Sequence, residues 1–291
     1  MDTAPLTGDK RYRYDTGNQE QLEEACQTLI AQGMIDRIAK IDYNPDLIKT
    51  IYEKYFGPEQ APQMLNHTHN WKGSTVYASL YCIEASATDH YLHFDADMLL
   101  HQNPNYDWIS EGIKLMAAVP TISAIRPLCG PPHPDGKKFH ANNYIKDERG
   151  FYGHKFFSMR AYLIDKERFA KLAPIPLLWK FSPLWSYHLP KPLQPLAGKI
   201  ERKLRNKKNP VQGAIESFEP MSSKKLKMTD FVRADLSSNE AWTIHPAKHG
   251  ADFIEVLPKL IKLVEKGDYP LEQAGYYDLV LDAWTELLAT Q

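Results

Sequence analysis

The chain is poor in residues that would place it in several common classes. Cysteine occurs 3 times in 291 residues, at Cys26, Cys82 and Cys129, widely spaced and without a Cys-x-x-Cys pair. An odd, scattered set of this kind argues against a disulfide framework and for reduced, buried thiols in a cytosolic protein. Long apolar runs are missing too. No stretch approaches the roughly 18 apolar residues of a spanning helix, and the N-terminus has no apolar signal core, so a soluble, cytoplasmic protein is expected. Charge of one sign is also lacking: 35 basic against 36 acidic side chains leave a net −1, so a nucleic-acid or lipid partner would have to be met by a local patch. Neither a repeat nor a low-complexity tract occurs. What is present, 43% hydrophobic and 24% charged residues, can bury a core for one large domain or two small ones.

The most informative stretch is HYLHFDADMLL at 90–100, an apolar run that stops at Asp95 and Asp97. It reads as a buried strand delivering two carboxylates to a sheet edge. Residues i and i+2 of an extended chain share one face, so both acids can face one ion at the strand's end, where a turn is expected. Oxygen donors without cysteine suit a hard divalent cation, Mg²⁺ or Mn²⁺, that stays partly open to water and substrate phosphates.

Upstream, Asn18 and Gln21 open a helix ending at Gly33, with Leu22, Cys26, Leu29 and Ile30 on one face. A short strand is expected at 38–41. Asn44-Pro45 then starts a helix with Leu47, Ile48, Ile51 and Tyr55 inward and Gly57 at its end. The pattern of Val76, Leu80, Ile83 and Ala87 predicts a helix over 74–87 that feeds the acidic strand. Downstream the periodicity predicts a helix at 108–119, strands at 122–125 and 157–163, and a polar loop over 131–153 suited to covering a site. A helix at 216–227, strands at 231–236 and 241–245, and two closing helices within 251–291 complete the pattern. The order belongs to an α/β layered fold, with substrates at the carboxyl ends of strands.

Composition changes over 174–210, where Pro174, Pro176, Pro183, Pro190, Pro192 and Pro195 punctuate a stretch holding Trp179, Phe181, Trp185 and Tyr187. Lysines and arginines follow at 199–208. The segment is read as an ordered excursion on the acceptor side of a cleft, with solvated charges on its rim. Its aromatic and basic content also allows a peripheral contact with an anionic membrane surface. Nucleic acid is not expected, because the aromatic and basic residues are segregated and not interleaved.

These features together resemble the nucleotide-sugar-dependent glycosyltransferases of the GT-A fold, in particular the large family 2 group. The strand ending in Phe94-Asp95-Ala96-Asp97 is similar to their DxD motif, and Asn70, Gly73 and Ala78 lead into it through a helix as in that family. Phe218-Glu219, Arg233-Ala234-Asp235-Leu236 and Trp242-Thr243-Ile244-His245-Pro246 resemble the acceptor-side acid and the late histidine strand. The likeness spans about residues 15–250, and the ordered set is more specific than the acidic pair alone. It implies one GT-A-like domain over 1–291, with a mixed, mostly parallel sheet flanked by helices, an insertion at 174–210 and C-terminal helices at 251–291. It implies transfer of a sugar from a UDP- or GDP-sugar to the hydroxyl of an unidentified acceptor, with inversion.

Carried over by position, Asp97 would bind the Mn²⁺ or Mg²⁺ that bridges the donor diphosphate. Asp95 would bind the ribose or reach the metal through water, and His245 would complete the shell. Glu219 would take the acceptor proton, with Glu216 as its rival. Either glutamate could instead serve as favourable charge at a helix N-terminus. Arg233 and Asp235 would form an ion pair or contact the donor. The family opens with a strand, a helix and a second strand whose acidic end holds the nucleoside. Here Met1-Asp2-Thr3-Ala4-Pro5 resembles only the tail of that second strand, so Asp2 is the nucleoside-binding candidate and the domain is expected to be N-terminally incomplete. Two alternatives accompany this reading. One is a non-catalytic GT-A remnant acting as a binding module. The other is an Asp-x-Asp phosphatase, for which Leu99 stands where Thr or Val is usual.

Overall fold

The computed structural model describes residues 1–2, 19–138, 144–180, 189–190, 192–208, 214–246 and 249–290. It forms two compact units, each assembled from two segments. One comprises Met1–Ala87 and Ala173–Met221, the other Thr88–Leu172 and Ser222–Gln291.

The first segment is helical: α1 Gln19–Ala31, α2 Pro45–Phe56, α3 Ala61–Met64 and α4 Tyr77–Ala85. The second begins with β1 His90–Phe94, β2 Leu99–Gln102, α5 Trp108–Ala118, β3 Ile122–Arg126 and β4 Leu128–Cys129. It continues with β5 Ile145–Asp147, β6 Phe151–His154, β7 Ala161–Asp165 and α6 Lys166–Ala170. The chain then returns to the first unit through β8 Trp179–Lys180, α7 Gln194–Lys208, β9 Ala214–Ile215 and the start of α8 Phe218–Lys227. It closes in the second with β10 Val232–Leu236, β11 Ala241–Ile244, α9 Ala251–Lys266 and α10 Leu281–Ala289.

In the first unit, Asn44 caps α2 as its sequence predicts, its side chain accepting from the N–H groups of Asp46 at 2.9 Å and Leu47 at 3.4 Å. Proline at the first helical position costs no hydrogen bond there. The helix buries Ile48, Ile51, Tyr52, Tyr55 and Phe56, and Tyr52 meets the edge of Tyr77 from α4 with ring centroids 5.8 Å apart. By contrast α1 has no buried residue, so its expected inward face is not packed, and its expected cap Asn18 lies outside the described residues. No strand forms at 38–41. Of the 174–210 stretch, α7 is a helix missed in the sequence. Phe181, Pro183, Trp185, Tyr187 and Pro210 lie outside the described residues.

The second unit is mixed α/β. Its main sheet has six strands in the order β1-β7-β3-β10-β6-β5, and β2-β11-β4 form a smaller sheet. The expected mostly parallel sheet is corrected here. Of the five pairings in the main sheet, only β3 with β10 is parallel. The cause is local. Strands β5 and β6 are joined by residues 148–150 alone, with Gly150 at φ +91°, and so short a link can make only an antiparallel return. This hairpin occupies a stretch expected to be loop, and β7 starts four residues later than the strand expected at 157–163.

Helix α5 packs Trp108, Met116 and Val119 against Ile122, Ile125, Leu163, Ala234 and Leu236 of the main sheet. Helices α9 and α10 cover Leu128, Trp242 and Ile244 with Phe253, Leu260, Leu263 and Trp284. Strand β3 is buried at all five positions. Strand β1 is not: none of its residues is buried, because among the described strands it occupies one end of the sheet and pairs only with β7. The chain passes from the larger sheet to the smaller one at three places, β1 to β2, β3 to β4 and β10 to β11. The first of these passages carries the two acids.

Candidate functional site

Strand β1 stops because the chain turns. The Met98 N–H donates to the Asp95 carbonyl at 3.1 Å, closing the tight turn expected at the end of the acidic strand, and the Asp95 N–H donates to the Arg160 carbonyl at 2.7 Å. The two carboxylates have different partners. Asp95 Oδ1 lies 2.9 Å from His93 Nε2 on its own strand. Asp97 Oδ2 lies 2.9 Å from His249 Nε2 and 3.3 Å from His245 Nε2. Asp97 Oδ1 is buried and has no hydrogen-bond partner among the described residues.

His245 is held by backbone on both sides. Its N–H donates to the Tyr277 carbonyl at 3.0 Å, and its carbonyl accepts from the Leu279 N–H at 2.8 Å. The Tyr277 ring stacks on the imidazole with centroids 6.2 Å apart, and the Tyr277 hydroxyl points to Met98 Sδ at 3.5 Å. Burial, reinforced by the nearby Arg160, pulls the His245 imidazole below the ordinary histidine range, against the attraction of Asp97, Asp278 and Asp95. The ring is therefore neutral near pH 7 and offers a lone pair. His245 Nδ1 is buried without a hydrogen-bond partner among the described residues, 3.9 Å from Asp278 Oδ1. Arg160 Nη1 reaches Asp278 Oδ1 at 3.5 Å.

The structure thus brings Asp97 and His245 into contact across 148 residues of sequence, with Asp95 close enough to act on the imidazole. Among the described residues, no three His, Cys, Asp or Glu side chains are arranged as a set of metal ligands. Asp97 sits between two imidazoles at hydrogen-bond spacing, and its spare buried oxygen is what an additional cation or donor would satisfy. The donor set, carboxylate and neutral imidazole, fits a divalent ion in chemistry without forming a closed cage.

Asp2, Glu216 and Glu219 belong to the first unit. Asp2 Oδ1 accepts from the Tyr43 hydroxyl at 2.6 Å and Oδ2 lies 3.0 Å from His69 Nε2. Glu216 Oε1 accepts from Trp71 Nε1 at 3.0 Å and from the Ser217 N–H at 2.9 Å, so this carboxylate secures the approach to α8. Glu219 lies in the first turn of that helix. Arg233 and Asp235 form an ion pair, with Arg233 Nε 3.0 Å from Asp235 Oδ1.

His249 and Arg126 were not singled out in the sequence. For His249 the signal was the His245-x₃-His249 spacing, which places two imidazoles within reach of one group. For Arg126 it was a charged residue closing the apolar strand Ile122–Arg126, which has to find an anion. A cavity of about 620 Å³ elsewhere in the second unit is lined by Tyr106, Glu111, Leu115, Arg149 and Ser237 among others and by none of the candidate residues.

Comparison of the chain with protein-family models, with curated proteins and with solved structures gave no match.

Proposed function

We propose that the turn after β1 is the cation-binding turn of a GT-A-like, metal-dependent glycosyltransferase that moves a sugar from a UDP- or GDP-sugar to an acceptor hydroxyl. The observation that carries the reading is the state of Asp97: one oxygen faces two imidazoles and the other is buried with no hydrogen-bond partner among the described residues. Asp97 and His245 would hold Mn²⁺ or Mg²⁺, with His249 as a further donor and Asp95 two positions earlier in the turn. Such a cation, when bound, supplies positive charge for a diphosphate leaving group.

The chain's own groups support the same role. A neutral, backbone-anchored His245 faces Asp97 with Nε2, the ring nitrogen nearest to an ion held by that carboxylate. Arg160, half-exposed beside Asp278 and 5.8 Å from the Tyr277 ring centroid, offers a cation for the oxygens of a diphosphate. Substrate phosphates and water would complete the shell of such an ion. The base role of Glu219, or of Glu216, rests on the family resemblance alone, as does the nucleoside role of Asp2.

The test is Mn²⁺ binding followed by loss of the free-ion paramagnetic signal, with and without UDP or GDP. Wild type should bind Mn²⁺, more tightly with the nucleotide, and Asp97→Ala should lower the affinity at least about tenfold. A wild type that does not bind Mn²⁺ or Mg²⁺ with either nucleotide would leave Asp97 as a member of a metal-free Asp–His network. That is the state expected of a non-catalytic binding module.

A further inference from the structure

A second cluster of charge lies in the second unit, where β3 and β10 pair in parallel. Arg126 and Arg233 are both buried, at 3% and 1% exposure, and share one carboxylate. Asp235 Oδ1 accepts from Arg126 Nε at 2.8 Å and from Arg233 Nε at 3.0 Å, while Oδ2 takes the two Nη2 groups at 3.4 and 3.2 Å. His154 of β6 places Nε2 3.1 Å from Asp235 Oδ2 without the alignment of a hydrogen bond.

The charges do not balance. Burial lowers the His154 imidazole and raises the Cys129 thiol to about 12, so both are neutral, and two guanidinium groups stand against one carboxylate. Lys138 adds a third cation. Its Nζ is buried, lies 3.4 Å from the centroid of the Tyr152 ring and has no hydrogen-bond partner. Arg126 Nη1 and Arg233 Nη1 are likewise buried without a partner. Among the described residues, three cationic side chains therefore hold donors with nothing to donate to, in a place where an unanswered charge is costly. A cavity of about 170 Å³ opens at Lys138, lined also by Cys129, Tyr152, Pro132, His133 and Ser237, with Arg126 and Arg233 close enough to act electrostatically on Lys138 and Cys129.

We propose that this cluster is a binding site for an oxyanion, the phosphate or carboxylate group of a small ligand, taken into the cavity at Lys138 and neutralised by Lys138, Arg126 and Arg233 together. Guanidinium groups with free Nη donors are suited to planar or tetrahedral oxyanions, and an ammonium group adds a point charge. Burial holds Lys138 down to about 8, the behaviour of an ammonium group short of counter-charge, and a bound anion would raise it again. The inference stands on these residues and does not depend on the glycosyltransferase reading.

The experiment compares thermal unfolding and calorimetric titration of the full chain in chloride, inorganic phosphate and acetate at matched pH and ionic strength. A saturable, one-to-one response is expected, raising Tm by roughly 3 °C above chloride when the site is filled. A response to phosphate assigns a phosphoryl group and a response to acetate a carboxylate, and either supports the site. Lys138→Met should lose at least about tenfold in affinity, with Lys138→Gln as the second variant where the first does not fold. Identical melting in all three salts, or an equal response in wild type and in the Lys138 variants, would overturn the proposal.

Discussion

Replacing Asp235 with asparagine keeps the side chain's shape and removes the carboxylate that, among the described residues, lies between two buried arginines. In the folded protein this aspartate receives four guanidinium hydrogen bonds, two from Arg126 and two from Arg233. Removing one partner of a buried ion pair typically costs about 3–5 kcal/mol, because the other charge is left in a medium that cannot solvate it. Here two charges are left, so Asp235→Asn is expected near the top of that range, about 5 kcal/mol. A lowering of Tm by roughly 10–15 °C should follow for a chain of this size. Arg126→Met acts in the opposite sense on the charge count. It leaves Asp235 paired one-to-one with Arg233 beside a neutral imidazole, and it should cost at most about 2 kcal/mol. The assay is urea unfolding in phosphate-free buffer at pH 7, followed by the fluorescence of buried Trp108 and Trp242. If Asp235→Asn costs less than about 1 kcal/mol, or no more than Arg126→Met, the surplus-charge reasoning is refuted.

Three further outcomes are expected. Asn44→Ala removes the acceptor for two N–H groups at the start of α2 and should cost about 1 kcal/mol in thermal unfolding, while Asn44→Asp should cost little. Gly130→Ala should destabilise by at least about 3 kcal/mol, because Gly130 has φ +81° and an added Cβ would collide with the Tyr276 backbone. For pH, burial outweighs Asp235 and holds His154 below the ordinary histidine value of about 6.5, with Arg233 and Arg126 acting in the same direction as burial. The unfolded chain then binds this proton more readily than the folded one, so stability falls as pH drops below about 6.5. Unfolding measured from pH 7 to 5 should show a shallower loss in His154→Gln than in wild type, and an unchanged slope would contradict the assignment.

The parts of the fold legible in the sequence were those fixed by local chemistry. Asn44-Pro45 marks the start of α2 because cap and proline act within one turn, and α5, β3 and β11 follow from apolar patterns that match their final burial, whereas β10 buries the charged Arg233 and Asp235. The hairpin of β5 and β6 was not legible. Two of its strand residues, Ile145 and Lys146, are exposed, and Gly150 and Gly153 read as loop. The face assigned to α1 failed for a related reason: helical periodicity shows that a face exists and not that anything covers it, and Leu22 is 47% exposed. Strand direction was misjudged because an apolar run is compatible with either pairing. At the candidate site, Asp95, Asp97 and His245 could be named because each ends a strand, whereas their separate partners, His93, His249 and Asp278, depend on contacts that only folding creates. The same holds for Arg126, whose counter-ion lies 109 positions away.

Turnover of a panel of UDP- and GDP-sugars, scored as release of the nucleoside diphosphate with Mn²⁺ and again with chelator, bears on the central claim most directly. The account predicts metal-dependent transfer or slow hydrolysis of at least one donor, abolished by chelator and reduced at least about a hundredfold in Asp97→Ala, since a lost metal ligand removes several kcal/mol of transition-state stabilisation. Turnover that persists in chelator, or full activity in Asp97→Ala, would contradict it.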